Sequence, residues 1–153
     1  MDFKIEFIDL DKYKQNPEFY SIAVETAFEV PGLQVETQLQ NGVFFTIAFA
    51  DDIPCGVIRF TRVYNRKTVY CLRQVFVREP YRKMGIASKM YELALPEMKK
   101  RGATKILSFI LENNKASQKL HYKYGFKYTE KGSYANTDYD ANGELDEMWV
   151  NTL

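Results

Sequence analysis

Apolar and charged residues alternate along Phe3-Lys4-Ile5-Glu6-Phe7-Ile8, the two-residue period of a strand with one buried face. Asp9-Leu10-Asp11 stops the pattern. Pro17 stands where first-turn prolines stand, and Phe19, Ile22, Ala23, Thr26 and Ala27 then recur at helical spacing. A helix is expected over 18–29, closed by Val30-Pro31-Gly32. A short helical piece is expected over 35–39, before Asn41-Gly42. Residues 43–50 read as a strand, Asp51-Asp52 as a turn and 53–64 as the next strand. Pro54 sits near the start of that strand, where a missing donor does little harm. Asn65-Arg66-Lys67 leads to a third strand ending at Val77. Three strands in series with short turns predict an antiparallel meander.

After Val77 the period changes. The loop Arg78-Glu79-Pro80-Tyr81-Arg82-Lys83-Met84-Gly85-Ile86-Ala87 leads into a helix expected over 87–101, with Met90, Leu93, Ala94 and Met98 on one face. Pro96 is expected to kink or break it near Ala94, and Gly102 to cap its end. A strand follows over 105–111. Glu112-Asn113-Asn114 then opens a short helix closed by Gly125-Phe126. The chain is organised around this βαβα unit. Two aromatic-rich strands are expected over 127–134 and 144–151. The polar segment 135–143 between them is either a plain connection or a substrate lid. Without repeats, linkers or low-complexity segments, residues 1–153 are expected to form a single α/β domain around a mixed, mostly antiparallel sheet.

Composition fits that expectation: 153 residues with 46% hydrophobic content can bury a substantial core. No apolar run approaches a membrane span, and charges interrupt the first six residues, unlike a secretory leader. No membrane partner is expected. Cys55 and Cys71 lack metal-ligand spacing and read as reduced strand residues of a cytoplasmic protein. His121 is the single histidine, so no metal site is expected. A net charge of +1 argues against nucleic-acid binding by bulk charge. The distribution says more. Residues 1–40 hold eight acids and three bases, 59–105 thirteen bases and three acids, and 130–150 six acids and one base. A basic middle suits an anionic cofactor, and acidic flanks suit a cationic acceptor.

The loop before the long helix has the chemistry of a phosphate site. Backbone N–H groups at a helix N-terminus point outward, and the helix dipole adds partial positive charge. Gly85 and Ala87 are small, and Arg82 and Lys83 add formal charge. The pattern of Arg or Gln, two residues, Gly, one residue, then Gly or Ala is weak alone, and an ordinary solvated turn also fits it. Its place between a strand and a helix is the one the mechanism requires. It is neither a Walker A loop nor G-x-G-x-x-G. A second phrase follows at Asn114-Lys115-Ala116-Ser117-Gln118-Lys119-Leu120-His121-Tyr122-Lys123-Tyr124-Gly125-Phe126. Together the two resemble the GNAT superfamily of acyl-CoA-dependent N-acetyltransferases. Residues 77–87 are similar to that family's pyrophosphate loop, and 114–126 to its N-x-x-S/A-x-x-L-Y/H-x-x-x-G-F helix. The central βαβα unit carries the resemblance closely, and the strand order of the whole chain carries it loosely.

The resemblance implies a GNAT-like fold and transfer of an acetyl group from acetyl-CoA, as cosubstrate, to a primary amine of a small molecule or peptide. In that family the amine attacks directly in a ternary complex. By position, the backbone of Val75, Phe76 and Val77 would hold the pantetheine and offer the oxyanion donor. Arg82, Lys83, Met84, Gly85, Ile86, Ala87 and Ser88 would take the pyrophosphate. Asn114, Ser117 and His121 fall at i, i+3 and i+7, on one helix face, so Asn114 and Ser117 join the cofactor-binding set. His121 stands where many relatives carry a tyrosine general acid and others a histidine. It either exchanges a proton near neutral pH or only packs against the thiol pocket. Tyr122 is the second catalytic candidate, though one residue round the helix. The strand Leu72-Arg73-Gln74-Val75-Phe76-Val77 has no acid to act as base. Glu25, Glu29, Glu144, Glu147 or a water remain, or proximity alone supplies the rate. The family places its acceptor between segments that correspond here to 18–36 and 138–147. Two other functions stay open: a non-catalytic acyl-CoA-binding domain, and a nucleotide-binding enzyme, which the lack of metal-binding acids near the loop disfavours. A homodimer is open as the oligomeric state.

Overall fold

A computed structural model describes residues 1–132 and 146–153. The chain divides into two compact units, Met1–Thr61 with Arg73–Glu97, and Arg62–Leu72 with Met98–Leu153.

In the first unit, β1 (Phe3–Ile8) leads to α1 (Leu10–Gln15), α2 (Pro17–Phe28) and α3 (Val35–Gln40). Then β2 (Val43–Ala50) pairs antiparallel with β1 and with β3 (Ile53–Arg62). The helix α1 corrects the expectation that Asp9-Leu10-Asp11 merely ends a strand. The Asp9 carboxylate accepts the Lys12 N–H at 2.8 Å, so the acid that stops β1 is the N-cap of the next element. Asn16 caps α2 ahead of Pro17 in the same way. Tyr13 of α1, Tyr20, Ala23, Val24 and Ala27 of α2, and Val35 and Leu39 of α3 are buried with Phe45, Ile47 and Val57 of the sheet.

The strand β4 (Val69–Val77) contributes to both units, and α4 (Ile86–Lys100) follows it. Helix α4 runs unbroken through Pro96, which overturns the expected break. A proline inside a helix costs about 3 kcal/mol. Against it, Met90, Tyr91, Ala94 and Met98 are all at most 1% exposed, and each large apolar side chain gains about 1.5–3 kcal/mol on burial. The packing of α4 on β3 is close at Gly56. A Cβ there would lie 3.2 Å from Ile86 Cγ2 and from Met90 Cε, and 3.4 Å from the Phe76 carbonyl oxygen.

In the second unit, β5 (Lys105–Ile110) runs parallel to the start of β4, with Val69, Tyr70 and Cys71 opposite Lys105, Ile106 and Leu107. Helix α5 (Lys115–Lys123) and β6 (Lys127–Gly132) follow. The last strand, β7 (Asp146–Thr152), inserts between β5 and β6, antiparallel to each. The hydrogen-bonded order is β1-β2-β3-β4-β5-β7-β6. This is a mixed, mostly antiparallel sheet flanked by helices, as expected. Val63, Cys71, Leu107 and Phe109 form a buried cluster in this unit. Cys55 and Cys71 are both buried free thiols.

The strands expected to reach 134 and to start at 144 are observed to Gly132 and from Asp146. The polar segment 135–143, and with it the proposed lid, lies outside the described residues. Among the described residues, no helix is long and apolar enough to cross a membrane, and no cluster of His, Cys, Asp and Glu is placed to hold a metal ion.

Candidate active site

The loop between β4 and α4 begins with a short 3₁₀ turn, Glu79–Tyr81. Lys83 and Gly85 then take left-handed backbone angles, φ 63° and 77°. The Gly85 carbonyl accepts the Lys89 N–H at 3.1 Å. Gly85 therefore caps α4, and the N–H groups of Ile86, Ala87 and Ser88 belong to a first turn with no preceding helical carbonyls. A Cβ on Gly85 would meet nothing within 4 Å. The glycine is needed for its φ, not for room. Arg82, Lys83, Met84 and Gly85 are exposed, Ala87 and Ser88 half-buried and Ile86 buried. These features fit the pyrophosphate of a CoA cosubstrate.

Arg82 does more than carry charge. Its Nε–H donates to the Val77 carbonyl at 2.7 Å, and its guanidinium lies 5.5 Å from the centre of the Phe76 ring. It thereby folds the loop back on the end of β4, where Val75, Phe76 and Val77 are half-buried. Arg78, just before the loop, is anchored more widely. Its backbone N–H donates to the Cys55 carbonyl at 2.8 Å and its Nη1 to the Pro54 carbonyl at 3.0 Å. Its Nε lies 3.5 Å from Glu29. Two of the base candidates are thus engaged: Glu29 is the ion partner of Arg78, and Glu25 accepts the Leu33 N–H at 3.1 Å. Glu144 and the side chain of Glu147 lie outside the described residues.

In the second unit, Asn114 caps α5 by accepting the Ser117 N–H at 3.2 Å. One turn on, Ser117 and His121 meet, with Ser117 Oγ 3.3 Å from His121 Nδ1. The same Nδ1 is 2.7 Å from the Ser117 carbonyl oxygen. The other ring nitrogen, Nε2, is 2.9 Å from Ser108 Oγ on β5. The ring also meets Phe126 edge-on at 4.9 Å and is 5% exposed. Burial lowers its pKa below the ordinary histidine value, with the Ser117 carbonyl pulling the other way. Tyr122, the other candidate, points away: it is 68% exposed.

Two residues were missed from the sequence. Ser108 holds His121, and Gln118 donates from Nε2 to the carbonyls of Leu111 at 3.2 Å and Glu112 at 3.0 Å. Ser108 carried a signal. Ser108 is the one polar residue in Ile106-Leu107-Ser108-Phe109-Ile110, and a hydroxyl inside a buried strand needs a partner.

The description of the acetyltransferase (GNAT) family matches residues 11–126. The chain belongs to that family, and is accordingly an acyl-CoA-dependent acetyltransferase with acetyl-CoA as its cosubstrate. No curated protein sequence matches it. Among solved structures, a GNAT-family acetyltransferase from Staphylococcus aureus Mu50 is 17% identical, with 99% of each chain covered and a TM-score of 0.68. The paia N-acetyltransferase of Thermoplasma acidophilum, in complex with coenzyme A, is 16% identical over 100% of both chains, at a TM-score of 0.64. Salmonella typhimurium yncA, with its cofactor acetyl-CoA, is 18% identical over 99% of this chain and 94% of its own, at 0.67. At these identities the likeness is one of fold.

Proposed function

We propose that this protein is an N-acetyltransferase that moves the acetyl group of acetyl-CoA to a primary amine of a small molecule or peptide, by direct attack in a ternary complex. The observation that carries most weight is the open, glycine-capped N-terminus of α4, with Arg82 and Lys83 beside it. In this assignment Arg82, Lys83, Met84, Gly85, Ile86, Ala87 and Ser88 bind the pyrophosphate, and Val75, Phe76 and Val77 line the pantetheine. Asn114 and Ser117 complete the cofactor side. The amine nitrogen bonds to the acetyl carbon as the carbon–sulfur bond breaks, and the departing sulfur takes up a proton. His121, held rigidly, handles that proton; Tyr122 is too exposed to share the same place. Glu25 and Glu29 are engaged elsewhere, which favours deprotonation of the amine by solvent or by the histidine.

Residues 1–153 are taken as one catalytic domain, since the family match at 11–126 draws on both compact units. The two free thiols support a cytoplasmic location. For the acceptor, the acid-rich segments 1–40 and 130–150 support a cation, and Glu18 and Glu36 are exposed on the first of them. The test is release of CoA from acetyl-CoA across a panel of amines, with products identified by mass. Transfer to amines, with higher kcat/KM for cationic than for anionic acceptors of matched size, is the expected result. Asp138→Asn with Asp140→Asn should narrow that preference, although both positions lie outside the described residues. CoA binding without turnover of any amine would support the non-catalytic alternative. Light scattering on the same samples distinguishes a homodimer from a monomer.

A further inference from the structure

The His121 ring is held at both nitrogens by groups of different capacity. A backbone carbonyl can only accept, and one lies 2.7 Å from Nδ1. A ring lacking hydrogen at Nδ1 would set two lone pairs against each other at that distance, so Nδ1 carries the proton and donates. In the neutral ring Nε2 is then the acceptor, and the Ser108 hydroxyl, 2.9 Å away, is its donor. Ser108 is itself 4% exposed, so this pair tolerates no unmatched lone pair. A hydroxyl can also reverse. If Nε2 gains a proton, Ser108 Oγ accepts from it without any movement of the ring.

We infer that Ser108 is a positioning residue for His121: it and the Ser117 carbonyl fix the imidazole as the Nδ1–H tautomer, so that the ring exchanges protons at Nε2, through the serine hydroxyl. This rests on the assignment of a proton-handling role to His121. The balance is simple. As Ser108 takes a proton from outside, it passes its own to Nε2, and the ring becomes imidazolium. The reverse step returns the ring to neutral and delivers one proton outward, with the serine unchanged. A ring that is neutral at rest begins by accepting, which suits a chain whose strand before the phosphate loop carries no acid. The lowered pKa of the buried ring agrees with that resting state.

The single histidine makes the test direct, because both imidazole nitrogen signals of the labelled 153-residue chain come from one residue. Long-range proton–nitrogen spectra should show a protonated Nδ1 and an unprotonated, hydrogen-bonded Nε2. Ser108→Ala should shift the Nε2 signal and lower kcat by about tenfold or more, while the acetyl-CoA KM changes little; general acid–base catalysis is typically worth ~10²–10⁴-fold. Ser108→Thr, which keeps the hydroxyl, should recover most of kcat, and it remains informative if the alanine variant folds poorly. A protonated Nε2 in the resting protein would overturn the tautomer. Equal kcat for Ser108→Ala and wild type would overturn the positioning role. Unchanged transfer by His121→Asn would instead overturn the proton role assigned to His121, with the tautomer intact.

Discussion

Replacing Gly85 by valine separates the phosphate role of the loop from its structural role. Gly85 has φ 77°, and an L-residue in the left-handed region costs roughly 1–2 kcal/mol. A Cβ there meets nothing within 4 Å, so the backbone conformation is the main cost. In a chain of this size 1 kcal/mol shifts Tm by roughly 2–4 °C, so Gly85→Val should lower Tm by about 2–8 °C and remain folded. CoA at about a hundred times Kd should stabilise the wild type by about 2.7 kcal/mol, or roughly 5–11 °C. In Gly85→Val that gain should vanish at the same CoA concentration. The backbone that caps α4 must distort, and the branched side chain fills the space over the first-turn N–H groups. Gly102 supplies a matched control. Its φ is 92°, a Cβ there also meets nothing within 4 Å, and it follows the C-terminal end of α4. Gly102→Val should therefore lower Tm by a similar amount and keep the full CoA shift. Thermal melts of the three proteins, with and without CoA, decide the matter. A full CoA shift in Gly85→Val, or its equal loss in Gly102→Val, would refute a phosphate site at the start of α4.

Three further outcomes are expected. Arg82→Ala should weaken CoA binding more at low than at high salt, because added ions screen an exposed charge; Arg82→Lys should recover only part of the loss, since lysine keeps the charge without the guanidinium that donates to Val77 and covers Phe76. Equal losses at both salt levels would assign Arg82 a purely structural part. Gln118→Ala removes two donated bonds from a buried amide and should cost about 1–3 kcal/mol in urea unfolding; Gln118→Glu should cost more, because a carboxylate there faces two carbonyl oxygens, and an equal cost would count against those bonds. For His121 the folded pKa lies below the unfolded value of 6.5. Its contribution is thus full above that value and is lost as pH falls through the folded pKa, the unfolded chain binding more protons in between. Urea midpoints should fall more steeply below about pH 6.5 in wild type than in His121→Gln, and parallel profiles would contradict the burial of a neutral ring.

The strands were the most legible part of this chain. β1 and β2 were expected with the bounds observed and β4 with its end at Val77, because local alternation and turn residues determine them. α1 was hidden because Asp9 both ends a strand and caps a helix, and six residues carry too little periodicity to separate the two. Pro96 misled for the opposite reason: a local rule was overridden by burial of Met90, Tyr91, Ala94 and Met98, which only tertiary packing supplies. At the site, the loop and the Asn114–Ser117–His121 face could be read from spacing. The state of His121 could not, because Ser108 lies 13 residues away on another element. The engagement of Glu25 and Glu29 was equally invisible, since Leu33 and Arg78 reach them through the fold.

Gly56 sets how closely α4 packs on β3 beneath the proposed phosphate site. The atoms that a methyl group would meet belong to Ile86, Met90 and the Phe76 carbonyl, and Ile86 is the first residue of the helix whose N-terminus is proposed to meet the anion. The Ile86 and Met90 side-chain ends would have to give by a few tenths of an ångström to admit that methyl. A substitution on β3, far along the chain from the loop, therefore presses on Ile86, the first residue of that helix. With the proposed phosphate site at the start of α4, Gly56→Ala is expected to change affinity for the cosubstrate from behind, leaving every group assigned to the phosphates chemically intact.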